Sequence, residues 1–408
     1  MAHIEDRWYK TVKQGDQVVQ VAKAGCGKGL RYRVRYIAPD GRERSESFPD
    51  RRKRAAQAFL ERIQADIHKG TYLDPDAGKV TFRQYAEQWL DVVTSDPNRR
   101  DRLERGFRLH VYPVFGSRPL GTIQPSAIRA WGRTIHEAGL SASYQRNLFA
   151  DTASVFNAAV DDKMIAASPF AARTVRAPRY VPTKVLPWSI ERRNCFHAAI
   201  KDRYKVAVDL GAGCGLRQGE IFGISPEDIS HDRTTLHVVR QVKLVRGRMV
   251  FAAPKGEKVR DVPLPGSVLL ALSAHARQYR LVDVTLPWGS PGGRPTTVTL
   301  YLTTENGEAL DRHKFNGSVW RPAVRKAGIE ASRRNGMHVL RHTYASVLLD
   351  AGESIKALSL YLGHSDPGFT LRIYTHLMPS SEDRTRRAID KAFGNELGVD
   401  DADGLATA

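Results

Sequence analysis

Three cysteines in 408 residues, Cys26, Cys195 and Cys214, are too few and too scattered for a disulfide framework or a cysteine-based zinc site. They read as free thiols in a reducing compartment. No apolar run approaches the roughly 20 residues that cross a bilayer. The first ten residues, MAHIEDRWYK, have no apolar signal-peptide core, so a cytoplasmic protein is expected. No G-x-x-x-x-G-K-S/T occurs, which removes support for ATP chemistry on a P-loop. The glycine cluster GAGCG (211–215) leads into Leu216 and Arg217 rather than following a clear strand, and reads as a tight turn between helices. Acidic residues are in deficit: 44 Asp/Glu stand against 63 Lys/Arg, a net charge of +19. A chain this basic attracts polyanions, nucleic acid first. A membrane surface would need a basic amphipathic anchor, and none stands apart from the folded segments.

The length exceeds one ordinary core, and three segments can be read. In residues 1–75, RYRVRYIAPDGRERSESF (31–48) alternates on both sides of Pro39-Asp40-Gly41, a hairpin signal. Arg31, Arg33 and Arg35 share one face and Tyr32, Val34 and Tyr36 the other. A helix follows over about 51–68. The segment holds 16 Lys/Arg and 10 Asp/Glu. Its arginine face reads equally as a DNA-groove ribbon or as a solvated surface. Residues 78–177 read as a helical bundle, with helices at about 82–93, 99–110, 125–138 and 142–160 and a further one at 161–167. Arg129, Arg133 and Arg146 are candidate phosphate contacts there. The proline-rich, basic stretch 178–188 reads as a linker.

The third segment, 189–395, is expected to be mainly helical, with strands at 234–245, 248–254 and 259–265. LPWGSPGGRPTTV (286–298) reads as a loop. The tail 396–408 carries acidic residues and no basic ones, and is expected to be disordered. The whole is expected to be a multidomain α+β chain: a small N-terminal β-sheet domain, a helical bundle, and a mainly α-helical domain with a small antiparallel sheet.

The third segment also carries polar residues inside otherwise apolar helices. Arg217 precedes Glu220 by one turn. Lys255 sits in PKGEK, a turn between two strands. His338 and Arg341 share a face in MHVLRHTYASVLL. His364 precedes Ser365-Asp366-Pro367, a helix start, and Tyr374 follows on that helix. His338 and His342 have the four-residue spacing of a zinc pair, but HVLRH lacks the metalloprotease glutamate and Arg341 would repel a cation. Metal binding is set aside, and no cofactor is expected.

Taken together, GLRQGE (Arg217), PKGEKVRDVPL (Lys255), HVLRH (His338, Arg341), LGH (His364) and IYTH (Tyr374) occur in an order and spacing that resemble the catalytic domain of the tyrosine recombinases, the phage-integrase family. The resemblance covers about 200 residues. The two preceding segments match that family's arm-binding sheet and core-binding bundle by pattern only. The resemblance implies that Tyr374 attacks a DNA phosphate and forms a 3′-phosphotyrosine link, independently of metal and ATP. It implies that Arg217 and Arg341 clamp the non-bridging oxygens and that His338 acts as a base or phosphate ligand. His364 would donate to the phosphate, Lys255 would protonate the 5′-oxygen, and Glu220 would orient Arg217. The implied function is integration and excision of a phage or mobile element. The implied partners are double-stranded DNA attachment sites, further copies in a homotetramer on DNA, and accessory excision or DNA-bending proteins. Two readings stay open beside it: a DNA-binding regulator without chemistry, and a type IB topoisomerase-like enzyme. His376 is unassigned.

Overall fold

A computed structural model describes residues 2–14, 17–93, 96–181 and 184–375, together with 386, 389, 390, 392 and 393. His376 and the tail 396–408 lie outside these. The chain divides into two compact units, 1–181 and 182–408.

The first unit contains two hydrophobic cores. Strands β1 (His3–Asp6), β4 (Tyr32–Ile37) and β5 (Glu43–Phe48) form an antiparallel sheet in the order β1-β4-β5. Its Tyr32, Val34 and Tyr36 are buried against Ala56, Leu60 and Ile63 of helix α1 (Lys53–His68). Alternation of side chains across the pleat sorts the arginines onto the other face. That face is not a free cationic surface: Arg35 pairs with Glu5 and Glu43 at 3.2 Å each, and Arg31 with Asp6 at 2.9 Å and Asp50 at 3.0 Å. Strand β1 and the separate hairpin of β2 (Tyr9–Gln14) and β3 (Gln17–Ala22) escape the alternation signal: β1 and β2 are mostly polar, and the valines of β3 do not alternate strictly with polar residues.

The second core lies within α2 (Phe82–Val93), α3 (Pro97–Gly106), α4 (Tyr112–Phe115), α5 (Pro125–Glu137) and α6 (Ala142–Asp161). Phe82, Phe107, Phe115, Trp131 and Phe156 are all fully buried in it. A wide five-residue π turn, Phe107–Val111, joins α3 to α4. The separate helix expected over 161–167 does not form: α6 runs to Asp161, Asp162 caps it, and Lys163 turns with positive φ (57°). Arg129 donates to Thr174 Oγ1 at 2.6 Å.

Trp188 packs within the core of the second unit. The residue expected to end a linker is 3% exposed, stacks on Trp320 and donates through Nε1 to Asn335 Oδ1 at 2.8 Å. Helices α7 (Ile190–Ala199), α8 (Lys205–Gly213) and α9 (Gln218–Phe222) follow. Two antiparallel pairs come next: β6 (Thr235–Val238) with β9 (Arg260–Pro263), and β7 (Gln241–Val245) with β8 (Arg248–Ala252). The strand expected over 234–245 is thus broken. Arg240 turns inward at the break, donating to Asp228 Oδ2 at 2.7 Å and to the Gly223 carbonyl at 3.2 Å.

After α10 (Gly266–Gln278), the expected loop 286–298 proves to be largely a hairpin of β10 (Val282–Pro287) and β11 (Pro295–Leu300). Pro287 and Pro295 form the last pair of the ladder, beside the loop 288–294, where a missing N–H costs little. The chain continues through α11 (Arg312–Phe315), a π turn over Asn316–Trp320 and α12 (Arg321–Lys326). It then enters α13 (His338–Asp350), α14 (Ile355–Leu362) and α15 (Pro367–Tyr374). No helix among the described residues is long and apolar enough to cross a membrane.

Candidate active site

The last turn of α14 is where the separate motifs meet. Ser354 starts this helix by accepting from the Ala357 N–H at 3.1 Å. Gly363 ends it in the left-handed conformation, φ +61°. The terminal carbonyls, at the negative end of the helix dipole, then face three arginines from three other elements. Arg217 Nη2 and Arg341 Nη2 both donate to the Leu362 carbonyl, the former at 3.2 Å, and Arg260 Nε donates to the Tyr361 carbonyl at 2.7 Å. Arg341 Nη1 also reaches the carbonyl of Gly215, a residue of positive φ (63°), at 2.8 Å. The turn between α8 and α9 therefore serves Arg341; it is shorter than the turn expected over 211–215, because Gly211 and Gly213 lie within α8.

Glu220 ties this group together. It is fully buried, which by itself would raise its pKa, but Arg260 binds it through Nη1 at 3.0 Å and Nη2 at 2.7 Å. It also accepts from Arg217 Nη1 at 2.9 Å and the Arg217 backbone N–H at 2.8 Å. Against burial, the Arg260 hydrogen bonds and the charges of Arg260 and Arg217 hold it down to about 2. The Arg217–Glu220 spacing is thus no surface ion pair. Arg341 is 1% exposed; burial, then the charge of Arg217, lowers its pKa, yet it stays cationic at neutral pH.

The histidines divide by what their nitrogens do. His364 Nε2 lies 3.1 Å from Arg341 Nη2, which can only donate, so Nε2 accepts and the ring proton sits on Nδ1, 2.8 Å from Thr370 Oγ1. For His364 to donate to a phosphate, Arg341 must first turn away from it. His338, the first residue of α13, keeps an exposed edge; its recess in the protein, then Arg341 and Arg217, push its pKa down to about 4. His342, one turn on, stands edge-to-face against His338 at 4.5 Å and places Nδ1 2.8 Å from Tyr374 Oη. Sequence reasoning weighed His342 only as a metal ligand. The same four-residue spacing that suggested zinc is what sets two imidazoles side by side.

Tyr374 is 1% exposed, within a cluster of Tyr344, Ala345, Leu349, Leu358 and Leu362. Its helix starts at Asp366, whose side chain accepts from the Gly368 N–H at 2.8 Å, with Pro367 in the first turn. Burial pushes the phenol up to about 12, opposed by Arg341 and then Arg217. Lys255 is exposed in the turn between β8 and β9. Arg260, which the sequence left as part of a strand, is the functional neighbour it did not single out. Its place on the same alternation as Val262 and Leu264, which puts it on their inward face, was the available signal.

Two family models match the chain: the phage integrase family over residues 192–380, and the N-terminal SAM-like domain of phage integrases over 81–134. The chain is 26% identical to a XerC-like tyrosine recombinase of Caldanaerobacter subterraneus, over 85% of this chain and 92% of that protein. It is 24% identical to the putative prophage phiRv2 integrase of Mycobacterium tuberculosis, over 90% of this chain and 94% of that one. Among solved structures, the Tn1549 transposon integrase in complex with transposon right end DNA superposes with a TM-score of 0.63 at 22% identity, covering 76% of this chain and 99% of that one. A lambda integrase tetramer bound to a Holliday junction gives a TM-score of 0.51 at 16% identity, covering 84% of this chain and 94% of that one. These two likenesses are of fold.

Proposed function

The chain belongs to the tyrosine recombinase, or phage integrase, family, and from that premise we propose how its residues cut and rejoin DNA and what the reaction serves. It is a site-specific DNA recombinase. The observation that carries our assignment of residues is the convergence of Arg217 and Arg341 on one oxygen, the Leu362 carbonyl. Two guanidiniums able to meet one oxygen can also clamp the non-bridging oxygens of one phosphate. Glu220 and Arg260 hold Arg217 in that position.

In our reading, Tyr374 Oη attacks the scissile phosphorus. A 3′-phosphotyrosine bond forms and the bond to the 5′-oxygen breaks, its electron pair leaving on that oxygen. Lys255, free to move in its turn, protonates it. His338 borders the phosphate, and His364 turns to it once Arg341 does. The covalent link conserves the phosphodiester while strands change partners, so a second 5′-hydroxyl can reverse the step without ATP. Integration and excision of a phage or mobile element, through a tetramer on paired core sites assisted by accessory proteins, is the biological setting these properties fit.

The test uses nicked duplexes with a randomised core, mixed with the native protein and recovered as covalent adducts stable to detergent. Selected duplexes should form the adduct without metal or ATP. Tyr374→Phe should abolish it while leaving DNA affinity within about threefold, since the hydroxyl contributes chemistry more than binding. An adduct that persists in Tyr374→Phe would remove Tyr374 from its role.

A further inference from the structure

Tyr374 makes one hydrogen bond through its hydroxyl among the described residues, and the partner is His342 at 2.8 Å. The other two histidines of the site are placed differently. His364 has both nitrogens engaged, by Arg341 and Thr370. His338 stands beside His342, ring against ring, on the solvent side. We propose that His342 is the group that takes the phenolic proton of Tyr374 as the phosphate is attacked and gives it back on rejoining. This rests on the recombinase reading above and leaves His338 as a phosphate ligand.

The proton and charge accounts agree with the placement. A neutral imidazole that accepts at Nδ1 carries its proton on Nε2. The groups facing His342 are His338 and Arg341 of its own helix, His364 from the turn after α14, and Tyr374 of α15. Burial, then these neighbours, hold its pKa down to about 3, so the imidazole rests neutral beside a neutral phenol. Attack changes both sides. The bond from Oη to phosphorus makes the phenolic proton strongly acidic, and the negative charge gathering on the phosphoryl oxygens favours an imidazolium next to it. In cleavage the Oη–P bond forms, the P–O5′ bond breaks, Lys255 gives its proton to O5′, and His342 Nδ1 takes the proton from Oη. In rejoining the incoming 5′-hydroxyl gives its proton to Lys255, the Oη–P bond breaks with its pair on Oη, and His342 returns the proton there. Arg341, the neighbouring residue on α13, keeps the proton acceptor and one arm of the phosphate clamp on the same rigid helix.

Two substrates separate proton transfer from the rest of the site. The first is the nicked duplex selected by covalent capture on the native protein. The second is the same strand ending in a 3′-p-nitrophenyl phosphate, offered with a 5′-hydroxyl strand. Nitrophenolate leaves without protonation, so this joining needs the arginines and Lys255 but neither Tyr374 nor its proton acceptor. His342→Asn, which can still accept the tyrosine hydrogen bond but cannot take its proton, should slow adduct formation by roughly 10²–10⁴-fold. The nitrophenyl ester should be joined by this variant within about threefold of the native rate, because the phosphate clamp is untouched. His342→Ala should behave alike. Adduct formation at the native rate by His342→Asn overturns the inference, as it would show that an acceptor of hydrogen bonds is enough. A parallel fall of both reactions in His342→Asn also overturns it, since His342 would then be shaping the phosphate pocket. No adduct from the native protein would defeat the recombinase reading itself, a result distinct from either of these.

Discussion

At Glu220 two arginines share one carboxylate, and that carboxylate is 0% exposed. An unpaired charge there would be intolerable, so the three residues stand or fall together. In an unfolded chain the glutamate titrates near 4.5; in the fold it titrates near 2. The unfolded chain therefore takes up the proton first as pH falls. The contribution to stability is complete above about 4.5 and is lost on the way down to about 2. By linkage it amounts to about 3 kcal/mol. Denaturant unfolding of the native protein and Glu220→Gln at pH 6, 4 and 3 should show the variant weaker at pH 6 and the difference narrowing with acid. A difference that stays constant across that range would mean Glu220 is not ionised in the fold. The motif GLRQGE signalled the Arg217 contact through its spacing. It could not signal Arg260, forty residues away, because only the tertiary fold brings β9 to Glu220.

The end of α14 is the element on which the arginines converge, and its geometry depends on one residue without a side chain. Gly363 holds φ at +61°, and a Cβ there would sit 3.0 Å from Arg260 Cδ. Gly363→Ala adds left-handed strain of about 1–2 kcal/mol and displaces Arg260 from Glu220. Its melting temperature should fall by a few degrees. Adduct formation should fall further than in a control of equal stability loss, such as Val250→Ala in β8, a fully buried side chain. Equal losses in the two would mean that the α14 end contributes stability alone. The helices themselves were legible: α1, α2, α5, α6, α13, α14 and α15 show apolar spacing and capping residues such as Ser354 and Asp366. The β10–β11 hairpin was not, because Gly and Pro punctuate its loop and Pro287 and Pro295 end its strands beside that loop, and local signals of that kind favour a turn over a strand.

Across the whole molecule, the charge of +19 and the two separate cores of the first unit argue for distinct contributions to DNA binding. We expect protein lacking residues 1–75 to form the core adduct at near the native rate while binding separate arm sites more weakly. Each phosphate that the truncated protein fails to neutralise should reduce the slope of log affinity against log salt by about 0.9. Titrations at several salt concentrations thus count the phosphates that residues 1–75 neutralise. A folded truncation that no longer cleaves core DNA would assign the N-terminal segment to cleavage. Its arginine face is less generous than the sequence implied, since Arg31 and Arg35 already hold carboxylates.

The sequence by itself determined the candidate residues for the chemistry we propose. Arg217, Lys255, His338, Arg341, His364 and Tyr374 occupy motifs whose order and local spacing are properties of the chain, as are the helix starts and stops around them. The tertiary structure decided which of them touch. It set Arg217 and Arg341 on one carbonyl, paired Glu220 with Arg260, and turned His342 from half of a rejected zinc site into the partner of Tyr374. The physical reason is range. Spacing along a helix fixes neighbours three and four residues apart, whereas a hydrogen bond between α13 and α15 depends on how the two helices pack, and no local pattern encodes that.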